Sequence, residues 1–329
     1  MIKILYVADV HGSNTCYKKF LNALKLYKVD VGIMMGDLCG KMINPIVEQT
    51  DGTYLATIMG SNIVAKTEEE LANLEKEIAT TGNYSFRTSR EEMEVLKKEG
   101  KSIQGRIDER AASISLSDGK IDDLFKKLVL ERMNYWMELA EERISGSGID
   151  VYMGAGNDDI MQVDDIIRQS STVKHADDNK VVIRDEFEMI SSSWSNPTPW
   201  DTERECPEEE FEEKLEALAS QLENPEKSIF NFHVPPYDTL IDQAPKLSED
   251  LVPSTDETIA AGSKAVSNII KKYQPLLGLH GHIHESRGIV KIGKTTCINP
   301  GSEYSEGILR GVLLMMNKGK MKDFMFISG

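Results

Sequence analysis

Apolar runs of strand length recur along the chain, and several break off at a polar or charged group. The first, Ile2 to Val7, leads into Asp9-Val10-His11-Gly12. Ser13 or Asn14 can then cap a helix with the stripe Tyr17, Phe20, Leu21, Leu24 and Tyr27, and a second run, Val29 to Met35, ends in Gly36-Asp37. This is a βαβ unit. Its right-handed crossover makes the two strands parallel and can bring Asp9, His11 and Asp37 to one sheet edge, where chemistry sits in open α/β sheets.

Past Asp37 roughly a hundred residues go by before the next strand end, far beyond an ordinary connection, so residues 41–119 read as an insertion. Gly52 to Gly60 could be a hairpin edge. Thr67 to Gly105, rich in Glu and Lys, predicts exposed helices, either a plain solvated face or a lid or interface. A long helix follows, about Lys120 to Ile144, with Ile121, Phe125, Val129, Met133, Trp136, Ala140 and Ile144 on one stripe. A strand from Asp150 to Met153 then delivers Gly154-Ala155-Gly156-Asn157-Asp158-Asp159.

Val181 to Ile183 and Phe187 to Ser191 predict a hairpin. In the loop behind it, Trp194 and Trp200 are packing anchors or a pocket rim, with packing favoured. Pro207 starts an acidic helix with Phe211, Leu215, Leu218 and Leu222 inward. Ser228 to Phe232 is a strand ending in His233, and a loop to about Pro253 precedes a helix through Ile259, Val266, Ile269 and Tyr273. Pro275 to Leu279 leads into His280-Gly281-His282-Ile283-His284, and four glycine-separated runs after Gly288 read as antiparallel strands. With no internal repeat or low-complexity linker, one domain over residues 1–329 is preferred.

Composition narrows the partners. The net charge of -16, from 38 basic and 54 acidic residues, argues against a long nucleic acid, although bound divalent metals could still make a pocket that takes a small anion. Cys16, Cys39, Cys206 and Cys297 are scattered, which suits reduced thiols in a cytoplasmic protein. No apolar run reaches membrane-span length, and none looks like a cleaved leader. Three of the six histidines fall between 280 and 284, and on a strand His282 and His284 would share a face as paired metal ligands.

Collected in order, Asp9-x-His11, Gly36-Asp37, Gly156-Asn157, His233 and Gly281-His282-x-His284 resemble the five motifs of the calcineurin-like metallophosphoesterase superfamily. The Asn299-Pro300-Gly301-Ser302 turn is similar to one in its Icc-like and bacterial phosphodiesterase branches. The resemblance implies an α/β protein, a four-layer α/β/β/α sandwich with a dinuclear metal site on one edge; it does not cover the insertion, which the charged composition predicts to be largely helical. It implies that Asp9, His11 and His284 hold one ion, that Asn157, His233 and His282 hold the other, and that Asp37 bridges both. Such mixed donors suit two divalent ions of Mn, Fe, Zn or Co.

The activity implied is hydrolysis of a small nucleotide-like phosphodiester by in-line attack of a metal-bridging hydroxide. A phosphomonoesterase is the alternative within the class, and a catalytically silent protein-binding scaffold is the alternative outside it. A homo-oligomer is open. Where many relatives have a histidine after the asparagine, this chain has Asp158, whose ionised carboxylate would repel a developing oxyanion. Asp158 could be a pKa-shifted acid, His280 or Tyr237 could act instead, or the leaving group could be good enough alone. Arg287 is either a phosphate-oxygen contact or a surface ion pair. Gly40 stands where relatives often have Asp or Asn, Asn299 and Ser302 could buttress the site, and His175 reads as an exposed loop residue.

Overall fold

Two six-stranded sheets lie face to face in the computed structural model, which describes residues 1–58, 60–98, 120–248 and 250–329. The chain opens with β1 (Ile2–Ala8), α1 (Asn14–Leu26) and β2 (Val31–Met35), the βαβ unit expected. The insertion follows with β3 (Ile43–Glu48), β4 (Tyr54–Ile58), β5 (Ser61–Ala65), α2 (Glu68–Thr80), β6 (Tyr84–Thr88) and α3 (Arg90–Lys98). Next come α4 (Lys120–Ile144), β7 (Asp150–Gly154), α5 (Val163–Gln169), β8 (Val173–His175), β9 (Lys180–Ile183) and β10 (Phe187–Ser192). The remainder runs α6 (Glu208–Ala219), β11 (Ile229–Phe232), β12 (Gln243–Leu247), β13 (Pro253–Ala260) and α7 (Lys264–Tyr273). It closes with β14 (Leu277–Leu279), β15 (Gly288–Ile292), β16 (Thr295–Asn299), β17 (Arg310–Met316) and β18 (Met321–Ser328).

The first sheet has the order β18-β17-β1-β2-β7-β8 and the second β15-β16-β14-β11-β10-β9. Strands β1, β2, β7 and β8 are mutually parallel, as are β10, β11, β14 and β16. Parallel strands buried on both faces must be apolar on both, which is why they read as unbroken runs. Alternation then sorts their side chains. Ile4 and Tyr6 of β1 point toward the second sheet, among Ile33, Met189, Leu277, Leu279 and Ile298. Leu5 and Val7 point outward onto α1, α4 and α5. On the far side, Ile190, Phe230 and Phe232 pack under α6 and α7. The result is the four-layer α/β/β/α sandwich that the motifs imply.

Several expectations change in the structure. The insertion is not mainly helical among the described residues. It builds a four-stranded sheet, β5-β4-β3-β6, with a core of Ile46, Ala56, Ile58, Ala65, Leu71, Leu74 and Ile78 under α2. The hairpin edge expected at Gly52 to Gly60 is part of it, and the stretch of the insertion from 99 to 119 lies outside the described residues. Ile259 does not start a helix. Pro253–Ala260 pairs antiparallel with β12, and α7 begins only after Ser263, whose hydroxyl accepts from Val266 N–H. The β-branched run Thr258-Ile259 suits that strand better than a helix. His175 is not a loop residue but ends β8, and its ring lies 3.0 Å from Asp164.

The α4 stripe is buried as expected, and Trp136 is its anchor. Its ring stacks on Tyr17 with centroids 4.3 Å apart, its indole N–H donates to Asn14 Oδ1 at 2.7 Å, and the Tyr17 hydroxyl donates to its backbone carbonyl at 2.9 Å. Trp136→Ala removes the stack and leaves a cavity, and should lower stability by about 3–5 kcal/mol in urea denaturation; a loss below about 1 kcal/mol would contradict this packing account.

Candidate metal centre

Four of the motif segments meet at the C-terminal ends of β1, β2, β7 and β11, and the fifth is the loop after β14. The turns are tight enough to force Asp9, His11, Asp37 and His282 to positive φ, at 55°, 38°, 28° and 65°. Such backbone is uncommon for residues with a Cβ and concentrates where function over-determines the chain. His282 and His284 therefore do not share a face by strand alternation. They lie in a loop, and the loop is held from outside. Asn299 donates to the Gly281 and Ile283 carbonyls at 3.1 and 2.9 Å. Ser302 N–H donates to the His284 carbonyl at 3.1 Å and its hydroxyl to the Asp9 carbonyl at 2.6 Å. The buttressing role expected of Asn299 and Ser302 is thus realised.

Side-chain atoms of Asp9, His11, Asp37 and His284 lie within 4.8 Å of one another, and so do those of Asp37, His233 and His282. Asp37 belongs to both groups. Asn157 joins the second, with Oδ1 3.0 Å from His233 Nε2, and its amide is turned that way because Nδ2 donates to the Thr202 hydroxyl at 2.7 Å. All seven expected residues therefore converge. Gly156 lets the strand end come this close, since a Cβ there would stand 2.3 Å from Asp37 Oδ1.

The chemistry of the cluster fits cations. Imidazole nitrogens face each other at 3.1 Å between His11 and His284 and at 3.3 Å between His233 and His282, and Asp9 Oδ1 is buried without a hydrogen-bond partner among the described residues. The lone pairs gathered between His11 and His284, both held neutral by burial, and the unmatched buried carboxylate oxygen are costly unless a cation lies among them; on the other side Asp37 and Asp9 outweigh burial and raise His233 to about 9, so a proton there supplies the positive charge. Burial, helped by the charge of His233, pushes His282 down to about 3, and burial with Lys41 does the same to His284, so both rings are neutral and keep a lone pair free. Burial pushes Asp9 up to about 7. Asp37 stays well below the usual carboxylate range, because His233 and His11 outweigh the burial that would raise it.

The other candidates are placed differently. His280 is fully buried and pushed down to about 4, and its Nδ1–H donates to the Phe232 and Val234 carbonyls at 2.9 and 3.2 Å. Its Nε2 abuts Gly278, so it holds the backbone around His233 and does not act as a free acid. Arg287 is exposed and lies over the Phe326 ring, 4.7 Å from its centroid, instead of reaching for an anion. Tyr237 is 39% exposed beneath the Lys264 ammonium. Asp158 does flank the centre. Its N–H donates to Asp37 Oδ1 at 3.1 Å, and burial pushes its carboxyl up to about 6 against the pull of Lys41, which leaves it mostly ionised at neutral pH.

Three contributors escaped sequence reasoning. Lys41, four residues past Asp37, pairs with Asp158 at 3.4 Å. The Tyr304 ring packs on His11, centroids 4.5 Å apart. Arg204, only 2% exposed, bonds Asp164 and Asp177 at 3.1 Å each and the Asp159 carbonyl at 3.0 Å, and its backbone N–H donates to the Asn157 carbonyl. Asp159 in turn accepts from Leu38, Cys39 and Gly156 N–H at 2.7–2.8 Å, tying the Asp37 loop to the Asn157 loop. No motif marks Arg204; its only trace is a basic residue in an acidic stretch. Gly40 has its explanation in the insertion, because a Cβ there would meet the Gly82 carbonyl at 1.9 Å.

No protein-family model matches the chain. The uncharacterised protein MJ1162 of Methanocaldococcus jannaschii is 34% identical over 139 residues, 41% of this chain and 58% of that protein, so the match spans little more than half of that relative. One crystal structure superimposes with TM-score 0.56 and 15% identity over 97% of both chains. The protein TT1561 of Thermus thermophilus superimposes with TM-score 0.51 and 13% identity over 100% of this chain and 98% of that one. At such identities the likeness shows a shared fold. Of the described helices, none is long and apolar enough to cross a membrane.

Replacing Arg204 by Met would strand Asp164 and Asp177 without their partner and should cost about 3–5 kcal/mol in chemical denaturation. A variant as stable as wild type would mean that the buried network does not hold the Asn157 loop.

Proposed function

We propose that this chain, a calcineurin-like metallophosphoesterase in its fold and in the order of its five motifs, is a phosphoric ester hydrolase that works with two divalent ions on a small phosphodiester. The observation that carries this reading is the sharing of Asp37 between two ligand groups. Asp9, His11, Asp37 and His284 would hold one ion, and Asp37, Asn157, His233 and His282 the other. Imidazole, carboxylate and amide donors suit Mn, Fe, Zn or Co. Two such ions supply a water of lowered pKa and neutralise charge on the phosphoryl oxygens during in-line displacement.

The protein's own part is positional and electrostatic. Asn299 and Ser302 hold the histidine loop, Asp159 locks the Asp37 loop to the Asn157 loop, and Thr202 aims the Asn157 amide. With cations in the cluster the pocket is locally positive inside a chain of net charge -16, which lets an anion approach. Asp158 places a carboxylate beside the centre. Paired with Lys41 at 3.4 Å, that carboxylate adds little net charge, so the preference for a diester rests on the likeness of the Asn299-Pro300-Gly301-Ser302 turn to the phosphodiesterase branches. The scaffold alternative fits less well, since a fold kept only for binding has no need of seven converged ligands. Four free, buried cysteines suit a reducing compartment, and we place the protein in the cytoplasm on that ground.

The test is hydrolysis of an activated aryl phosphodiester by Mn-loaded protein, beside the matching monoester. Diester turnover should exceed monoester turnover, and Asp37→Ala should lower it at least about a thousandfold because both ion sites lose a ligand. Faster monoester turnover would transfer the reading to a phosphomonoesterase. No turnover of either ester by metal-loaded protein would leave the scaffold.

A further inference from the structure

Lys41 belongs to none of the five motifs, yet its field reaches nearly every group at the centre. Its ammonium acts on Asp9, Asp37, Asp158 and Tyr304, and on His11 and His284. Its side chain is 47% exposed, so it could extend into water; instead it lies 3.4 Å from Asp158 Oδ2. The tether is itself fixed. Asp158 is bonded through its N–H to Asp37, while the loop that carries Lys41 is pinned by Asp159 on Leu38 and Cys39 and by the Tyr84 hydroxyl, which accepts from Gly40 N–H at 2.8 Å. Partial loss of water works against the charge of Lys41, but Asp158, Tyr304 and Asp37 outweigh it and raise its pKa, so the ammonium stays charged.

We propose that Lys41 contacts the phosphoryl oxygens of the bound substrate and stabilises the charge that grows on them in the transition state, with Asp158 as the residue that positions it. The inference rests on the phosphoesterase reading. It accounts for a carboxylate standing where a histidine is common: Asp158 does not face the oxyanion alone but carries an ammonium that does. A cation preorganised in this way lowers the barrier without any proton moving. The competing description is a partly exposed ion pair of little energetic weight.

The experiment compares wild type, Lys41→Met and Lys41→Arg as full-length, Mn-loaded chains. It reads kcat and KM on the aryl diester, Mn content, melting temperature and the affinity for inorganic phosphate by calorimetry. Lys41→Met should keep its Mn and melting temperature, lose about 10²–10³-fold in kcat, and bind phosphate about tenfold more weakly or worse. Lys41→Arg should recover most of the phosphate affinity. A Lys41→Met enzyme within about threefold of wild type in kcat and phosphate affinity would overturn the proposal in favour of a surface pair. Loss of Mn from that variant would overturn it too, by assigning the lysine to metal retention. Should wild type hydrolyse no ester, the phosphoesterase reading falls separately, and the phosphate titration still decides whether Lys41 meets an oxyanion.

Discussion

Asp37 is the residue on which the site depends. A buried carboxylate is costly unless positive charge or several donors surround it, and here the surroundings are His11, His233 and the Asp158 N–H. The same carboxylate has atoms within 4.8 Å of the donor atoms of both histidine groups, so it is the residue the two groups share. Much else can be understood as holding that arrangement still. The positive-φ turns at Asp9, His11, Asp37 and His282 are strained, and each is bordered by hydrogen bonds from a neighbouring loop.

The two-sheet architecture explains why such strain is sustained. Parallel strands end together, and each end releases one short loop toward the same edge. Behind those loops the structure places rigid support: the buried Arg204 network under Asn157, His280 behind His233, and the Asn299–Ser302 turn behind the histidine pair. The insertion adds a wall. Ser13 donates to the Thr80 carbonyl at 2.7 Å, and Gly40, Gly12 and Gly82 meet backbone to backbone at distances that no side chain would allow. Lys41 stands where that wall leaves the Asp37 loop.

Sequence carried the first layer of this well, and for a physical reason. Strands buried on both faces are uniformly apolar, and metal donors at their ends are chemically conspicuous, so Asp9, His11, Asp37, Asn157, His233, His282 and His284 could be collected in order. What failed was local. Thr258-Ile259 could be continued into the helix of Val266 because apolar spacing alone does not separate a short exposed ribbon from a helical turn. Of the insertion's strands only the hairpin around Gly52 to Gly60 was legible, because charged helices dominate the composition of the rest. Lys41, Tyr304 and Arg204 were invisible for another reason: their roles come from tertiary neighbours 117, 293 and 40 positions away, Asp158, His11 and Asp164, and no periodicity encodes those pairings.

The central claim is that one carboxylate joins two ion sites. Electron paramagnetic resonance of the chain titrated with Mn tests it directly, because two ions sharing a ligand are magnetically coupled. The account predicts two bound Mn per chain, with the six-line signal of isolated Mn lost as the second ion binds. A single bound Mn with an undiminished six-line spectrum at saturation would contradict it.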